Sequence, residues 1–220
     1  MKKLSFFIAF LFATLPLFYI GCSPNVATRV DIESEKQVPR NARYVNLVWK
    51  PTMAAKDLDL EPLAMYKSIS IAFLSVNDVR QEPRVIGKTF KDLKVRETIV
   101  PLLTRVNIAR WCRSALENVC RTLDIQADDK KGTLRLEIEI TDFMIDDDFT
   151  QTGNVSFRIN ALAGEDMLIW EGRINGTSDL YVHGTDSDGI SECLSNTMMV
   201  TFQNVLTDQS FRDAVEKSVQ

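Results

Sequence analysis

The sequence predicts an α+β two-layer sandwich, in which an antiparallel-rich sheet of about four strands packs one face against two long helices. Three segments between residues 134 and 174 alternate apolar and polar side chains, as strands buried on one face do. Segments 101–123 and 190–205 repeat apolar residues at helical spacing. The order of strand, helix, three strands and helix places the chain in the α+β class.

The first elements are predicted from short local patterns. Residues 44–49 are consistent with a short strand that Pro51 ends, whereas 52–66 stay unassigned because Pro62 argues against a continuous helix. Residues 68–76 are rich in apolar and β-branched side chains and predict a strand. Residues 85–87 predict a short edge strand.

The later elements have clearer periodicity. A helix is expected over 101–123, with Pro101 in its first turn. Strands are expected over 134–140, 155–161 and 168–174. The acidic run that ends at Asp188 and Gly189 suits the start of a second helix, because carboxylates favour a helix N-terminus.

The N-terminus predicts a secreted, lipid-modified protein. Lys2 and Lys3 precede an apolar run over 4–20, and Gly21 and Cys22 follow it. The ending Ile20-Gly21-Cys22 resembles a bacterial lipobox, which implies cleavage before Cys22 and a lipid on its thiol. The alternative is a single transmembrane anchor, although the run is short for a span of about 20 residues.

This pattern divides the chain into three parts. Residues 1–21 are the predicted signal peptide, 22–43 the lipidated cysteine with a polar tether, and 44–220 one α+β domain. Removing the signal peptide changes the formal charge from −4 to −6, because that segment holds two lysines and no acid. An acidic domain without a basic stripe is a poor nucleic-acid binder, so none is expected as a partner.

Three cysteines remain besides Cys22. Cys112 and Cys120 lie on one predicted helix about 12 Å apart, too far for a disulfide. Cys193 lies on the other helix, so a bridge between Cys120 and Cys193 is one expectation. Buried free thiols are the other, since cysteine is often a small core residue.

Candidate chemistry is sparse in this sequence. His183, with nearby acids, is the one histidine that a hydrolase could use, but no G-x-S-x-G nucleophile turn accompanies it. The aspartates at 146–148 and 186–188 could supply calcium ligands, yet Thr197 stands where a calcium loop from Asp186 needs glutamate. We therefore expect no enzyme activity, no metal and no cofactor.

The stretch 71–80, which ends in Asp78-Val79-Arg80, followed by Val85-Ile86-Gly87, resembles the start of a YajG-type lipoprotein domain. A wider resemblance is to periplasmic auxiliary lipoproteins of ABC-transport, lipopolysaccharide-assembly and intermembrane lipid-transport systems. It covers roughly residues 68–206 and implies an envelope protein partner. Asp78 and Arg80 are then either a structural ion pair or a partner contact.

Two non-enzymatic functions follow as expectations. The first is a lipoprotein held by Cys22, acting as a partner-binding or auxiliary component of an envelope system. Ser23 after Cys22 favours the periplasmic face of the outer membrane. The second is a small-ligand or lipid-binding protein with an apolar cavity between helices and sheet. Its expected lining is Phe143, Phe157, Met167, Trp170, Met198 and Met199.

Overall fold

The computed structural model describes residues 41–53, 61–91, 98–128, 132–148, 150–164, 166–181 and 187–219. These residues belong to one compact unit, Pro39–Gln220. The expectations for Cys22, His183 and Asp186 lie outside the described residues.

Eight strands and three α-helices make up the described part of the chain. The strands are β1 (Arg43–Val45), β2 (Ser70–Asp78), β3 (Val85–Phe90), β4 (Ile99–Thr104), β5 (Gln126–Asp128), β6 (Leu134–Asp147), β7 (Thr150–Ala163) and β8 (Met167–Tyr181). The helices are α1 (Ile108–Thr122), α2 (Ser187–Thr207) and α3 (Gln209–Val219), and a 3₁₀ helix covers Glu61–Ser68.

Strand β6 is the centre of a forked sheet. On one side β7 pairs with it antiparallel over most of its length, and β8 pairs antiparallel with β7. On the other side β6 pairs in parallel with two strands in succession, β2 along its first half and β3 near its end. Strand β5 extends the β2 branch, while β4 and then β1 extend the β3 branch.

The predicted sheet of about four strands is therefore wrong in size. The sheet has eight strands in the described residues, and the two β6 partners on the forked side are parallel to it. The segment 85–87 is not an edge strand, because β3 lies between β4 and β6. Period-two alternation found β6, β7 and β8, but the short strands β4 and β5 lack that signal. The strand expected over 44–49 is present only in part, as β1, which ends at Val45.

The predicted helix over 101–123 combined two elements. Pro101 lies in β4 opposite Lys88, and the helix α1 begins only at Ile108. Asn107 caps it, since its side-chain oxygen accepts a hydrogen bond from the Arg110 N–H at 2.8 Å. The apolar residues of β4 would also suit the first turn of a helix, so their pattern alone does not distinguish the two. The Asn107 cap fixes the start of α1 after them.

Helix α3 was not predicted. Its start is marked by Asp208, whose carboxylate accepts a hydrogen bond from the Phe211 N–H at 2.9 Å. Hydrogen bonds, first from Ser210, lower the pKa of Asp208 below its usual value. Phe211 and Val215 of this helix are fully buried. Residues Gln209–Val219 thus add a third helix to the two expected.

Helix α2 lies unusually close to the sheet because glycines face it. A Cβ at Gly153 would lie 2.2 Å from Thr197 Oγ1, and one at Gly176 would lie 2.3 Å from Thr201 Oγ1. Both threonine hydroxyls are buried and donate to carbonyls four residues earlier, at 2.8 and 2.7 Å. The hydroxyls are therefore satisfied within the helix, and small polar residues can fill this narrow layer.

Candidate functional site

Asp78 and Arg80 form a buried ion pair at the fork of the sheet. The Arg80 Nη2 and Nε atoms donate to the two Asp78 carboxylate oxygens at 2.7 and 2.8 Å. The two side chains are only 8% and 9% exposed. This bidentate geometry is the pair that the structural interpretation of the sequence predicts.

Arg80 also binds three backbone carbonyls. Its Nη1 donates to the carbonyls of Val85 and Phe143, both at 2.9 Å, and its Nη2 donates to that of Pro83 at 2.8 Å. An arginine has five N–H donors, so the whole guanidinium is engaged inside the domain. It also lies 5.5 Å from the centre of the Phe143 ring.

The position of Arg80 explains this arrangement. The pairing of β2 with β6 ends at Ile140, and the pairing of β3 with β6 begins at Ile145. Phe143 lies in the gap, where no strand faces β6 on that side. Arg80 supplies hydrogen bonds to this gap and joins the end of β2 to the start of β3. The pair therefore has a structural role, and Arg80 presents no unused donor to a partner.

The three cysteines of the described domain are buried, free thiols. The structure contains no Cys120–Cys193 bridge in its described part. Burial raises the pKa of Cys193 to about 11 and that of Cys120 to about 12, and it raises the pKa of Cys112 further. Thiols held protonated and out of solvent are poor nucleophiles.

The aspartates at 146–148 do not converge on one point. Asp146 pairs with Lys88 at 3.1 Å, both side chains being half exposed. Asp147 is buried and accepts a hydrogen bond from Gln151 Nε2 at 2.7 Å. Within the described residues, no three His, Cys, Asp or Glu side chains are grouped as metal ligands.

The expected cavity between helices and sheet is filled by core side chains. Phe143, Phe157, Met198 and Met199 are fully buried within the single hydrophobic core. Met167, in contrast, lies on the surface and is 62% exposed. The residues expected to line one cavity therefore lie in two places, most of them in the core and Met167 on the surface.

That surface is a groove between the start of β8 and α3, which we call the β8–α3 groove. It is largely open to solvent, has a volume of about 490 Å³ and is lined by Met167, Leu168, Ile169, Trp170, Ser210, Asp213, Ala214, Lys217 and Ser218. Its floor is Trp170, whose ring meets Phe211 edge-on at 5.0 Å and whose Nε1 donates to Ser210 Oγ. Met167 and Leu168 leave a large apolar surface exposed at its mouth.

The chain leading into the domain is fixed along α2. Residues 46–53, the N-terminal arm, lie along α2, and alternate backbone N–H groups of the arm bond to α2 side chains between Ser191 and Asn196. The bonds run from Val48 to Ser191, from Lys50 to Ser195 and from Thr52 to Asn196, at 3.2, 3.0 and 3.0 Å. This continuous set of contacts was not predicted, since its two halves lie about 145 residues apart.

Comparisons with known proteins assign neither a family nor an activity. No family model and no curated protein matches the chain. A DUF330 protein of Xanthomonas campestris has a similar structure, with a TM-score of 0.46, 8% identity and coverage of 81% of this chain and 99% of that one. A candidate lipoprotein of Caulobacter crescentus has a TM-score of 0.33 and 8% identity, covering 50% of this chain and 81% of that one. The YajG-type resemblance stays a prediction.

No helix in the described residues is long and apolar enough to cross a membrane.

Proposed function

We propose that this chain is a non-enzymatic lipoprotein of the bacterial cell envelope, attached to a membrane through a lipid on Cys22. Its domain would act as a partner-binding or auxiliary component of an envelope assembly or lipid-transport system. The observation that carries the proposal is the pattern of the first 22 residues, in which a basic start is followed by an apolar run and then by Gly21-Cys22. Ser23 favours the periplasmic face of the outer membrane.

The length of chain between Cys22 and the compact unit supports this proposal. Sixteen residues lie between Cys22 and Pro39, where the unit begins. A fully extended chain of this length spans at most about 60 Å. A lipid on Cys22 would therefore keep the domain close to the membrane while leaving it room to contact a neighbouring protein.

The test begins with the anchor. Wild-type protein should take up labelled palmitate in cells and stay in the membrane fraction after a salt wash, whereas Cys22→Ser should do neither. Cys193→Ser is the matched control, because it replaces a buried cysteine and should leave labelling unchanged. Equal labelling of the Cys22→Ser protein would refute the proposed attachment.

The second step identifies the partner. Crosslinking in intact cells, followed by purification of the membrane-attached protein, should recover a transporter, a lipid-shuttling protein or an outer-membrane protein. Recovery of no specific protein from correctly localised material would contradict the partner-binding role.

A second candidate function is lipid binding, and the β8–α3 groove is the observation that favours it. Its volume lies within the usual range for small-molecule pockets, and its mouth is apolar. The occupant would be an acyl chain lying against Trp170 and Leu168. Native mass spectrometry should then find bound lipid on the wild type and lose it in Leu168→Glu. Tyr181→Glu, at an exposed position outside the groove, is the control and should keep the lipid.

A further inference from the structure

Strand β8 leaves one long edge of the sheet unpaired. It has 15 residues, and in the described part of the chain it pairs with β7 alone. Soluble proteins usually shorten, cover or distort such an edge, because its free N–H and C=O groups can pair with another strand. The open edge of β8 can therefore accept a strand from another chain.

Two hydrogen bonds establish which residues of β8 direct their backbone N–H and C=O groups toward the open edge. The Ser156 carbonyl on β7 accepts a hydrogen bond from Thr141 Oγ1 at 3.2 Å, which turns it toward β6. Asn175, its partner on β8, accepts a hydrogen bond from Asn204 Nδ2 at 2.9 Å. The backbone groups of Asn175 therefore face away from β7. Since this direction alternates along a strand, those of Arg173 and Glu171 face the open edge as well.

Glu171 and Arg173 are exposed charges that the domain leaves without an ion-pair partner among the described residues. Arg173 lies opposite Arg158 on β7, an unfavourable juxtaposition of like charges. Arg158 has its own carboxylate, Glu139, at 2.8 Å. The Arg173 guanidinium donates only to the neutral Thr141 hydroxyl, at 3.2 Å. The segment 171–173 of this edge thus carries one negative and one positive charge, two residues apart. The other acid of β8, Asp179, accepts a hydrogen bond from Thr152 Oγ1 at 2.7 Å.

When two copies of β8 lie antiparallel, the Glu171 and Arg173 of one copy can face the Arg173 and Glu171 of the other. We propose that two copies of this chain pair antiparallel through β8, with Gly172 at the two-fold axis. Glu171 of each copy then lies opposite Arg173 of the other, and both charge pairs form twice by symmetry. These two residues are the ones whose backbone groups face the edge, so each pair also exchanges both strand hydrogen bonds.

The inner face of the edge suits the same register. Trp170 comes opposite Ile174 of the second copy, and both side chains are only partly buried in the single chain. Gly172 has no side chain, and its own Trp170 ring fills the space where a Cβ would lie, 2.2 Å away. The product is a continuous sheet across two domains.

The decisive test is charge reversal followed by restoration. The full chain, purified in a nonionic detergent, should sediment as a dimer at micromolar concentration. Glu171→Arg or Arg173→Glu alone places like charges opposite each other twice, and each should weaken the dimer at least about tenfold. The double variant restores opposite charges and should return the dissociation constant to within about threefold of the wild type. Added salt should weaken the wild-type dimer.

Two controls distinguish the loss of the Glu171–Arg173 pairs from a general effect of charge or a loss of folding. Asp124→Arg and Arg84→Glu reverse exposed charges that lie outside β8 and α3, and both should leave the dimer intact. Circular dichroism of every variant reports whether it folds. A monomeric wild type, a dimer that tolerates both single reversals, or a folded double variant that stays monomeric would each overturn the proposal. The result is independent of Cys22 and of any envelope partner.

Discussion

Replacing Arg80 should destabilise the domain far more than replacing an exposed arginine with an equally short ion pair. Arg80→Met removes the partner of the buried Asp78 carboxylate and the donors to three carbonyls. Breaking a buried ion pair by removing one partner costs about 3–5 kcal/mol. A domain of ordinary stability has about 5–15 kcal/mol in total, so this single change removes a large fraction.

The conservative change Arg80→Lys should also be costly. A lysine has three donors and no planar fork, so at least two of the five hydrogen bonds made by Arg80 are lost. At about 1 kcal/mol or more for each carbonyl left unpaired, we expect a loss of about 2–3 kcal/mol. The double variant Asp78→Asn with Arg80→Met should lose less than Arg80→Met alone, because no uncompensated charge then stays buried.

The assay is urea denaturation followed by circular dichroism. Arg158→Met is the matched control, because Arg158 also contacts a carboxylate at 2.8 Å but is 55% exposed. An exposed pair contributes at most about 1 kcal/mol. If Arg80→Met and Arg158→Met reduced the free energy of unfolding equally, the structural role assigned to Arg80 would be refuted.

Further predictions concern packing, titration and the N-terminal arm. Gly176→Val places atoms against the α2 backbone at Thr201 and should cost about 1–3 kcal/mol or more in urea denaturation. It should exceed the cost of Gly164→Ala, whose Cβ meets no neighbouring atom and whose left-handed backbone, with φ +56°, adds only about 1 kcal/mol of strain. Burial raises the pKa of Cys193 from 9.0 to about 11, so its contribution to stability is complete below pH 9 and is lost as the pH rises through 11. Cys193→Ser should flatten this alkaline decline by up to about 1.4 kcal/mol per pH unit, and an unchanged slope would contradict the assignment. Asn196→Ala removes the acceptor for two N–H groups of the N-terminal arm and should speed proteolysis there while the α2 core stays protected.

The sequence alone predicted the parts whose signals are local. Alternation located β6, β7 and β8, because each has one buried face, and helical spacing located most of α1 and α2. It also paired Asp78 with Arg80, since residues two apart at the end of a strand can reach each other. It could not show that Arg80 bonds the Phe143 carbonyl, 63 residues later.

Only the tertiary structure decided the rest, and the physical reason is that long-range pairing leaves little trace in a short segment. The parallel pairing of β2 and β3 with one strand, the arm along α2 and the glycine contacts beneath it all join distant residues. The β8 edge shows the same division: its exposed charges are visible in the sequence, but their lack of partners is not. The predicted N-terminal lipidation signal is the reverse case, because such a prediction rests on a linear pattern and needs no knowledge of the fold.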